Sequence, residues 1–374
     1  MVWGSTLARN QRAAECVPLI ILLRPDAGLP ERSSVRAALD ELKLVVEETR
    51  LVDRIAFLVT GGDTSWPVDS LARIPGVDKV VPLARDTSLV SGTYDEKGIG
   101  RTISVGSARF GGGQVGLIAG PCTVESPEAL LQIGQSVRAS GAAALRGGAF
   151  KVRTSPHSYQ GGGPTALAEL AAVAREVGLP FFTELNDPRQ VAEVVDVMDA
   201  IQIGARHMQN FPLLKEAAAT GMPILLKRHM AADVKEWLLA AEYILQAGND
   251  QVILCERGIK TADQHVRFML DVGVIPYLKQ RVGLPVVVDP SHAAGDWRLV
   301  APLARAAIAA GADGLLVEVH PRPETTRCDA SQALPTTDFE TLAQDVRQLL
   351  ALDGRQLCEP RAGPSSSSCN AVGA

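Results

Sequence analysis

The chain has 374 residues, enough for one large domain and a small one. Hydrophobic residues make up 46% and aromatics only 4%, which suits an α/β core built from Ala, Val, Leu and Ile. A net charge of -5, with no basic stripe or tail, argues against a nucleic-acid partner. Six scattered cysteines form no disulfide-like framework, no signal peptide precedes them, and the apolar run at 18–23, closed by Arg24, is too short to span a bilayer. The expectation is a soluble, cytoplasmic protein with no membrane or nucleic-acid partner.

In chain order, residues 1–16 read as a polar, mobile extension. A small unit over 17–86 comes next. PLIILLR is a strand, Ser33 or Ser34 caps a helix through VRAALDELK, VVEETRLV and RIAFLVTG are strands, VDSLARI is a short helix, and VDKVVPL is a last strand. The order β-α-β-β-α-β is the ferredoxin-like arrangement, used for small-molecule sensing and equally for plain packing. Residues 87–113 are rich in Ser, Thr and Gly, and ISVGSARFGGGQVGLI predicts a hairpin that caps the lower mouth of the larger domain.

Between 114 and 352 lie eight short apolar runs with polar endings: VGLIAGPC, AALRGGAFKVRTS, LPFFTEL, AIQIGARH, PILLKRH, QVILCERG, PVVVDPSHA and GLLVEVHP. Ala- and Leu-rich stretches with helical spacing separate them. The repeat predicts a parallel (β/α)8 TIM barrel, a fold whose chemistry gathers at strand C-termini. A doubly wound open sheet is the rival, but no GxGxxG stands after the first run. Residues 353–374 have too few apolar side chains to fold and read as a disordered tail.

The strand ends carry two kinds of residue. Cys122, His292 and Glu318 end runs one, seven and eight, and Asp329 lies in the loop beyond. A thiolate, an imidazole and two carboxylates suit a divalent ion such as Mn, Fe, Co or Zn better than Mg or Ca. Alone, each has a plainer reading: a strand-end Cys is usually a small buried apolar residue and a loop acid is usually solvated. Arg146, Arg206 and Arg257 end runs two, four and six, with Lys151 and Lys227 close by. Cations crowded at one mouth call for anions, and arginine forks bind phosphate and carboxylate in bidentate fashion. Arg153-Thr154-Ser155 offers a guanidinium beside two hydroxyls for a second phosphate. The competing reading pairs each cation with a neighbouring acid such as Glu184 or Glu256.

Taken together, GPCTVES (120–126), LRGGAFKVRTSPHSYQG (145–161), TELNDP (183–188), IGARHMQNFPLLKE (203–216), LLKRHM (225–230), ILCERG (253–258), VDPSHAAG (288–295) and VEVHP (317–321) resemble 3-deoxy-7-phosphoheptulonate (DAHP) synthases of the short type with an N-terminal ferredoxin-like domain. The resemblance covers residues 17–350. It implies condensation of phosphoenolpyruvate with erythrose 4-phosphate, the first committed step of the shikimate pathway. By position it implies Cys122, His292, Glu318 and Asp329 as metal ligands and Arg146, Lys151, Arg206, Lys227 and Arg257 as the phosphoenolpyruvate site. Arg153, Thr154 and Ser155 fall to the aldose phosphate, and Lys151, as proton donor, and His292 are the catalytic candidates. It further implies a homotetramer, and the compact sensor-like N-terminal unit suggests an aromatic amino acid or pathway intermediate as effector. Departures from the family pattern are Val152 for proline, His157 for tyrosine, His207 for asparagine and His229 for glycine. They raise two alternatives: a paralogue using another aldose phosphate in specialised metabolism, and a catalytically silent regulatory partner. The eight-carbon analogue, 3-deoxy-octulosonate-8-phosphate synthase, is disfavoured because it carries Lys-Ala-Asn-Arg-Ser-Ser where this chain has Lys151-Val152-Arg153-Thr154-Ser155.

Overall fold

A computed structural model of the chain describes residues 19–51, 54–62, 66, 68–82, 88–91, 100–151, 153 and 155–360. The extension at 1–16, Val152, Thr154 and the stretch from 361 onward lie outside the described residues. The chain divides into two compact units, Met1–Ser88 and Leu89–Ala374.

In the first unit, β1 (Leu19–Leu23), β2 (Leu44–Leu51), β3 (Arg54–Gly62) and β4 (Val77–Pro82) form one sheet in the order β2-β3-β1-β4. β1 runs antiparallel to both β3 and β4, which is the ferredoxin-like topology expected from the sequence. Alternate residues Leu19, Ile21 and Leu23 are buried in one core with Val35 and Leu39 of the helix Leu29–Glu41. The second helix, expected over VDSLARI, stops at Leu71. Arg73 and Ile74 continue only in tight turns onto Ser70 and Leu71, because Pro75 keeps the preceding residue out of helical backbone.

The second unit begins with the hairpin β5 (Ile103–Val105) and β6 (Ala108–Phe110). Eight parallel strands succeed it: β7 (Gln114–Gly120), β8 (Ala144–Arg146), β9 (Phe181–Leu185), β10 (Ala200–Ile203), β11 (Ile224–Lys227), β12 (Val252–Glu256), β13 (Val286–Val288) and β14 (Gly314–Glu318). Each pairs with the next, and β14 pairs back onto β7 in the register Gly314 with Gly116, so the sheet closes into the expected barrel. One residue set, including Leu117, Leu145, Ile201, Leu226 and Leu254, packs with the helices. The alternating set, Ile118, Ala144, Phe182, Leu225, Ile253 and Leu316, forms a separate cluster with Phe110 of the hairpin. Gly116 makes room for that plug, since a Cβ there would lie 2.3 Å from the Phe110 ring. The hairpin thus seals the barrel end opposite the strand C-termini.

The reading of a disordered tail needs correction at 353–360. After the helix Thr336–Asp353, β15 (Gln356–Leu357) pairs with Gln114 and Val115 of β7, and Cys358 is buried in the Phe110 cluster. Neither β8 nor β14 reaches those first two residues of β7, so a two-residue strand satisfies backbone groups that would otherwise lack a ladder partner.

Candidate active site

The structure brings the four expected donors together at the strand C-termini. Glu318 is the last residue of β14, Cys122 lies two residues past the end of β7, and Asp329 lies in the loop after β14. His292 sits one step beyond the expected strand end, on the short helix Pro290–Ala294. Cys122 Sγ is 3.1 Å from Asp329 Oδ2. The donor atoms of His292, Glu318 and Asp329 lie within 4.8 Å of one another, and so do those of Cys122, Cys328 and Asp329. Asp329 belongs to both groups and joins them.

Asp289 sets the histidine. As N-cap of that helix, its Oδ1 accepts from the His292 backbone N–H at 2.9 Å, and its Oδ2 lies 2.7 Å from His292 Nδ1, in ion-pair reach though outside hydrogen-bond geometry. Nε2 then faces Glu318 Oε1 at 3.5 Å. Burial, against the pull of Asp289, lowers the His292 pKa, so the imidazole is neutral at pH 7, as a metal ligand must be. Burial works against charge on Asp289, Glu318 and Asp329, yet neighbours hold all three below the usual carboxylate range. The neighbours are His292 and Lys227 for Asp289, His292 and Arg146 for Glu318, and Cys122, His292 and Lys151 for Asp329. The hydrogen bond to Cys328, burial and the charge of Glu318 push the Cys122 thiol well up. A divalent cation would relieve that crowding and take the proton's place on sulfur, so the donor set fits a metal.

The cations fall into two sets. Arg146, the last residue of β8, gives Nη1 to Glu318 Oε1 at 2.8 Å, and Lys227, the last of β11, lies 2.5 Å from Asp289 Oδ2. Arg228 reaches Glu256 at 3.0 Å and Asp271 at 3.1 Å. For these the acid-pairing reading holds, whereas Glu184 takes its hydrogen bond from Gln202 Nε2 at 3.2 Å. The second set faces a cavity of about 270 Å³ whose lining includes Lys151, Arg153, Ser155, Arg206, Arg257 and Arg267, together with Lys227, His292 and Asp329. Arg257 stacks on the Phe268 ring at 4.2 Å, its Nη1 is buried without a hydrogen-bond partner among the described residues, and burial lowers its pKa. Lys151 Nζ is 3.0 Å from both the carbonyl oxygen and Sγ of Cys122. Burial is the largest influence and opposes its charge, but Cys122, Glu184 and Cys328 together outweigh it and hold its pKa above the usual lysine range. Arg153 touches Cys328 Sγ.

Sequence reasoning missed Asp289, Arg267 and Gln332. Asp before Pro290 at a strand end is an N-cap signature and could have been read. Arg267 gives Nη1 to Gln332 Oε1 at 2.7 Å, and Gln332 Nε2 donates to Glu318 Oε2 at 2.7 Å. Both come from irregular loops that carry no periodic signal. The three unusual histidines are peripheral: His157 is exposed, His207 and His229 are half-buried, and none lines the cavity.

A closed parallel barrel with this polar, cation-rich mouth is the architecture of a (β/α)8 enzyme. Residues 99–352 match the DAHP synthetase I family, and the chain belongs to that family. It is 37% identical over 331 residues to phospho-2-dehydro-3-deoxyheptonate aldolase of Thermotoga maritima, covering 88% of this chain and 97% of that protein. The crystal structure of the Thermotoga aldolase (DAHP synthase) superposes with a TM-score of 0.76 at 35% identity, over 91% of this chain and 99% of that one. A truncated form of 3-deoxy-D-arabino-heptulosonate 7-phosphate synthase from the same organism gives 0.65 at 39% identity, over 69% and 95%. A 2-dehydro-3-deoxyphosphooctonate aldolase of Nitratidesulfovibrio vulgaris is 34% identical over 255 residues, 63% of this chain and 92% of that protein. The barrel, the small N-terminal sheet and the DAHP synthase resemblance read from the sequence therefore hold, and the chain is a carbon–carbon bond-forming transferase of that family. Among the described residues, no helix is long and apolar enough to cross a membrane.

Proposed function

We propose that the chain condenses phosphoenolpyruvate with erythrose 4-phosphate and water, giving 3-deoxy-D-arabino-heptulosonate 7-phosphate and inorganic phosphate. The observation that carries this reading is one junction: Asp329 is shared by the His292–Glu318–Asp329 and Cys122–Cys328–Asp329 donor groups, beside a cavity lined with guanidinium and ammonium groups. A divalent ion (Mn, Fe, Co or Zn) held by Cys122, His292, Glu318 and Asp329 supplies Lewis acidity toward an aldehyde oxygen.

The chain's other residues bind and orient. Arg206, Lys227 and Arg257 hold the phosphoenolpyruvate carboxylate and phosphate, and the buried Arg257 Nη1 gains in an anion the partner it lacks among the described residues. Arg146 keeps Glu318 in place through Nη1 and adds positive charge beside the phosphoenolpyruvate site. Arg153 and Ser155, which line the cavity, take the aldose phosphate together with Thr154. In the reaction the enol carbon bonds to the aldehyde carbon, water adds at the central carbon, and the hemiketal carbon–oxygen bond to phosphate breaks. The proton lost by water balances the one gained by the aldehyde oxygen. Lys151, which touches Cys122 Sγ and lines the cavity, is placed to deliver that proton.

The deciding experiment incubates metal-reconstituted protein with phosphoenolpyruvate and a panel of four- and five-carbon aldose phosphates, with phosphate release as the readout. Turnover with erythrose 4-phosphate is expected; release only with arabinose 5-phosphate would overturn the choice. That second outcome is a live reading because of the octulosonate-type relatives, although the segment at 151–155 differs from theirs. We further assign the N-terminal unit to an aromatic amino acid or pathway-intermediate effector and expect a homotetramer. Deleting residues 1–86 relieves inhibition on this view, and unchanged inhibition would refute it.

A further inference from the structure

Cys328 is a buried thiol beside the four donors that the family resemblance leaves without a role. Its Sγ lies 3.3 Å from Cys122 Sγ and 3.5 Å from Asp329 Oδ2. Two consecutive residues, Cys328 and Asp329, point at the same spot, whereas neighbouring side chains in extended backbone point apart. The cause is Asp329, which adopts left-handed backbone at φ 54°. Asp tolerates that region better than most residues. The loop is pinned on both sides of the thiol. Arg327 N–H donates to Glu125 Oε1 at 2.7 Å, and Thr326 Oγ1 donates to the Cys328 carbonyl at 3.1 Å. The Arg153 guanidinium touches Cys328 Sγ, a ready counter-charge for a thiolate.

We propose that Cys328 is a second thiolate donor beside Cys122, His292, Glu318 and Asp329, so that the metal centre draws on two thiolates rather than one. Two thiolates about 2.3 Å from one ion, at a tetrahedral angle to each other, would stand roughly 3.8 Å apart, so the sulfurs need to part by only about half an ångström. They are well beyond the roughly 2.05 Å of a disulfide. A second soft donor tilts the site toward zinc and cobalt and away from manganese. It also links the two substrates, because Arg153, which we assign to the aldose phosphate, rests on a ligand of the ion. Binding releases one proton from each thiol, leaving the charge of the divalent ion to be met by two sulfurs and two carboxylates.

This inference rests on the metal reading proposed above, and the test separates the two. Protein kept under reductant, with its thiols counted, is loaded with cobalt. The near-ultraviolet thiolate-to-cobalt charge-transfer band should fall by about half in Cys328→Ser and again in Cys122→Ser, and vanish in the double variant. X-ray absorption on zinc-loaded wild-type protein should count two sulfurs at about 2.3 Å, which needs no variant to fold. In competition, Cys328→Ser should lose about tenfold of its preference for zinc over manganese. An unchanged band in Cys328→Ser, with the whole band lost in Cys122→Ser, or a single sulfur scatterer, would overturn the second-ligand assignment while leaving the metal reading intact. Wild-type protein that binds neither ion would overturn both, and a Cys122–Cys328 disulfide persisting under reductant would overturn the second ligand.

Discussion

Asp289 offers the cleanest test of how the donor group is held. Its side chain is fully buried and does three things at once: it caps the Pro290–Ala294 helix, meets Lys227, and faces His292 Nδ1. In Asp289→Asn the cap survives, since Asn caps helices as well as Asp. The amide NH2, however, now faces an ammonium and an imidazole N–H. The imidazole can meet it only by accepting at Nδ1, which moves the proton to Nε2 and removes the lone pair that points at Glu318. Loss of the partner that orients a ligating histidine costs about 10- to 100-fold in metal affinity, or about 1.4–2.8 kcal/mol. Lys227 is left buried without its counter-charge, which removes roughly 3 kcal/mol or more of stability. Affinity is read by competition with a chromophoric chelator and stability by urea titration. Asp289→Asn protein that binds zinc within about twofold of wild type would refute the tautomer argument.

Three more outcomes are expected from the same geometry. Gln332→Leu keeps the shape but strips Glu318 and Arg267 of a shared buried partner, so stability should drop by about 1–3 kcal/mol and metal affinity by about tenfold, both read in the assays above. Gly120→Ala would put a Cβ 2.1 Å from the Arg146 carbonyl oxygen at φ 154°, where neither backbone can give way. A loss of roughly 3 kcal/mol or more is expected on thermal or urea unfolding, and near-wild-type stability would refute so close an approach of β7 and β8. Reverting His207→Asn and His229→Gly should leave the ratio of kcat/KM between four- and five-carbon aldose phosphates within about threefold, since neither side chain lines the cavity; a switch of preferred aldose would sink that.

The barrel was legible because β-strands buried on both faces must read as apolar runs, and in this fold they stop where the solvent-facing mouth begins. Arg146, Lys227 and Glu318 are the last residues of their strands, so their positions came directly from the runs. His292 and Asp329 were legible as donor types but not in placement. One depends on a helix of five residues capped by Asp289, the other on a left-handed residue in an irregular loop, and neither leaves a periodic trace. β15 escaped for a different reason: its own signal is two residues, and its cause is an unfilled pairing edge on β7 more than 200 residues earlier in the chain.

Charge at the barrel mouth obeys the same limit. A count of strand-end cations alone suggests that their anions must come from substrate. In the structure the barrel supplies acids to Arg146, Lys227 and Arg228, including Asp289 and Asp271, which a tally of run endings leaves out. The cavity nevertheless stays cation-rich, because Arg153 of the second run ending lines it and Arg267 reaches it from a loop that such a tally does not cover. The electrostatic demand for phosphorylated ligands is therefore met by a division of labour. Strand-end cations lock the acids that orient the donor cluster, and loop guanidiniums, together with Arg257 on its phenylalanine face, present unneutralised charge to the cavity. Substitutions in the first set should weaken metal binding and stability together and, at Arg146 and Lys227, also raise KM for phosphoenolpyruvate. Those in the second should raise KM for the phosphorylated substrates and leave the fold untouched.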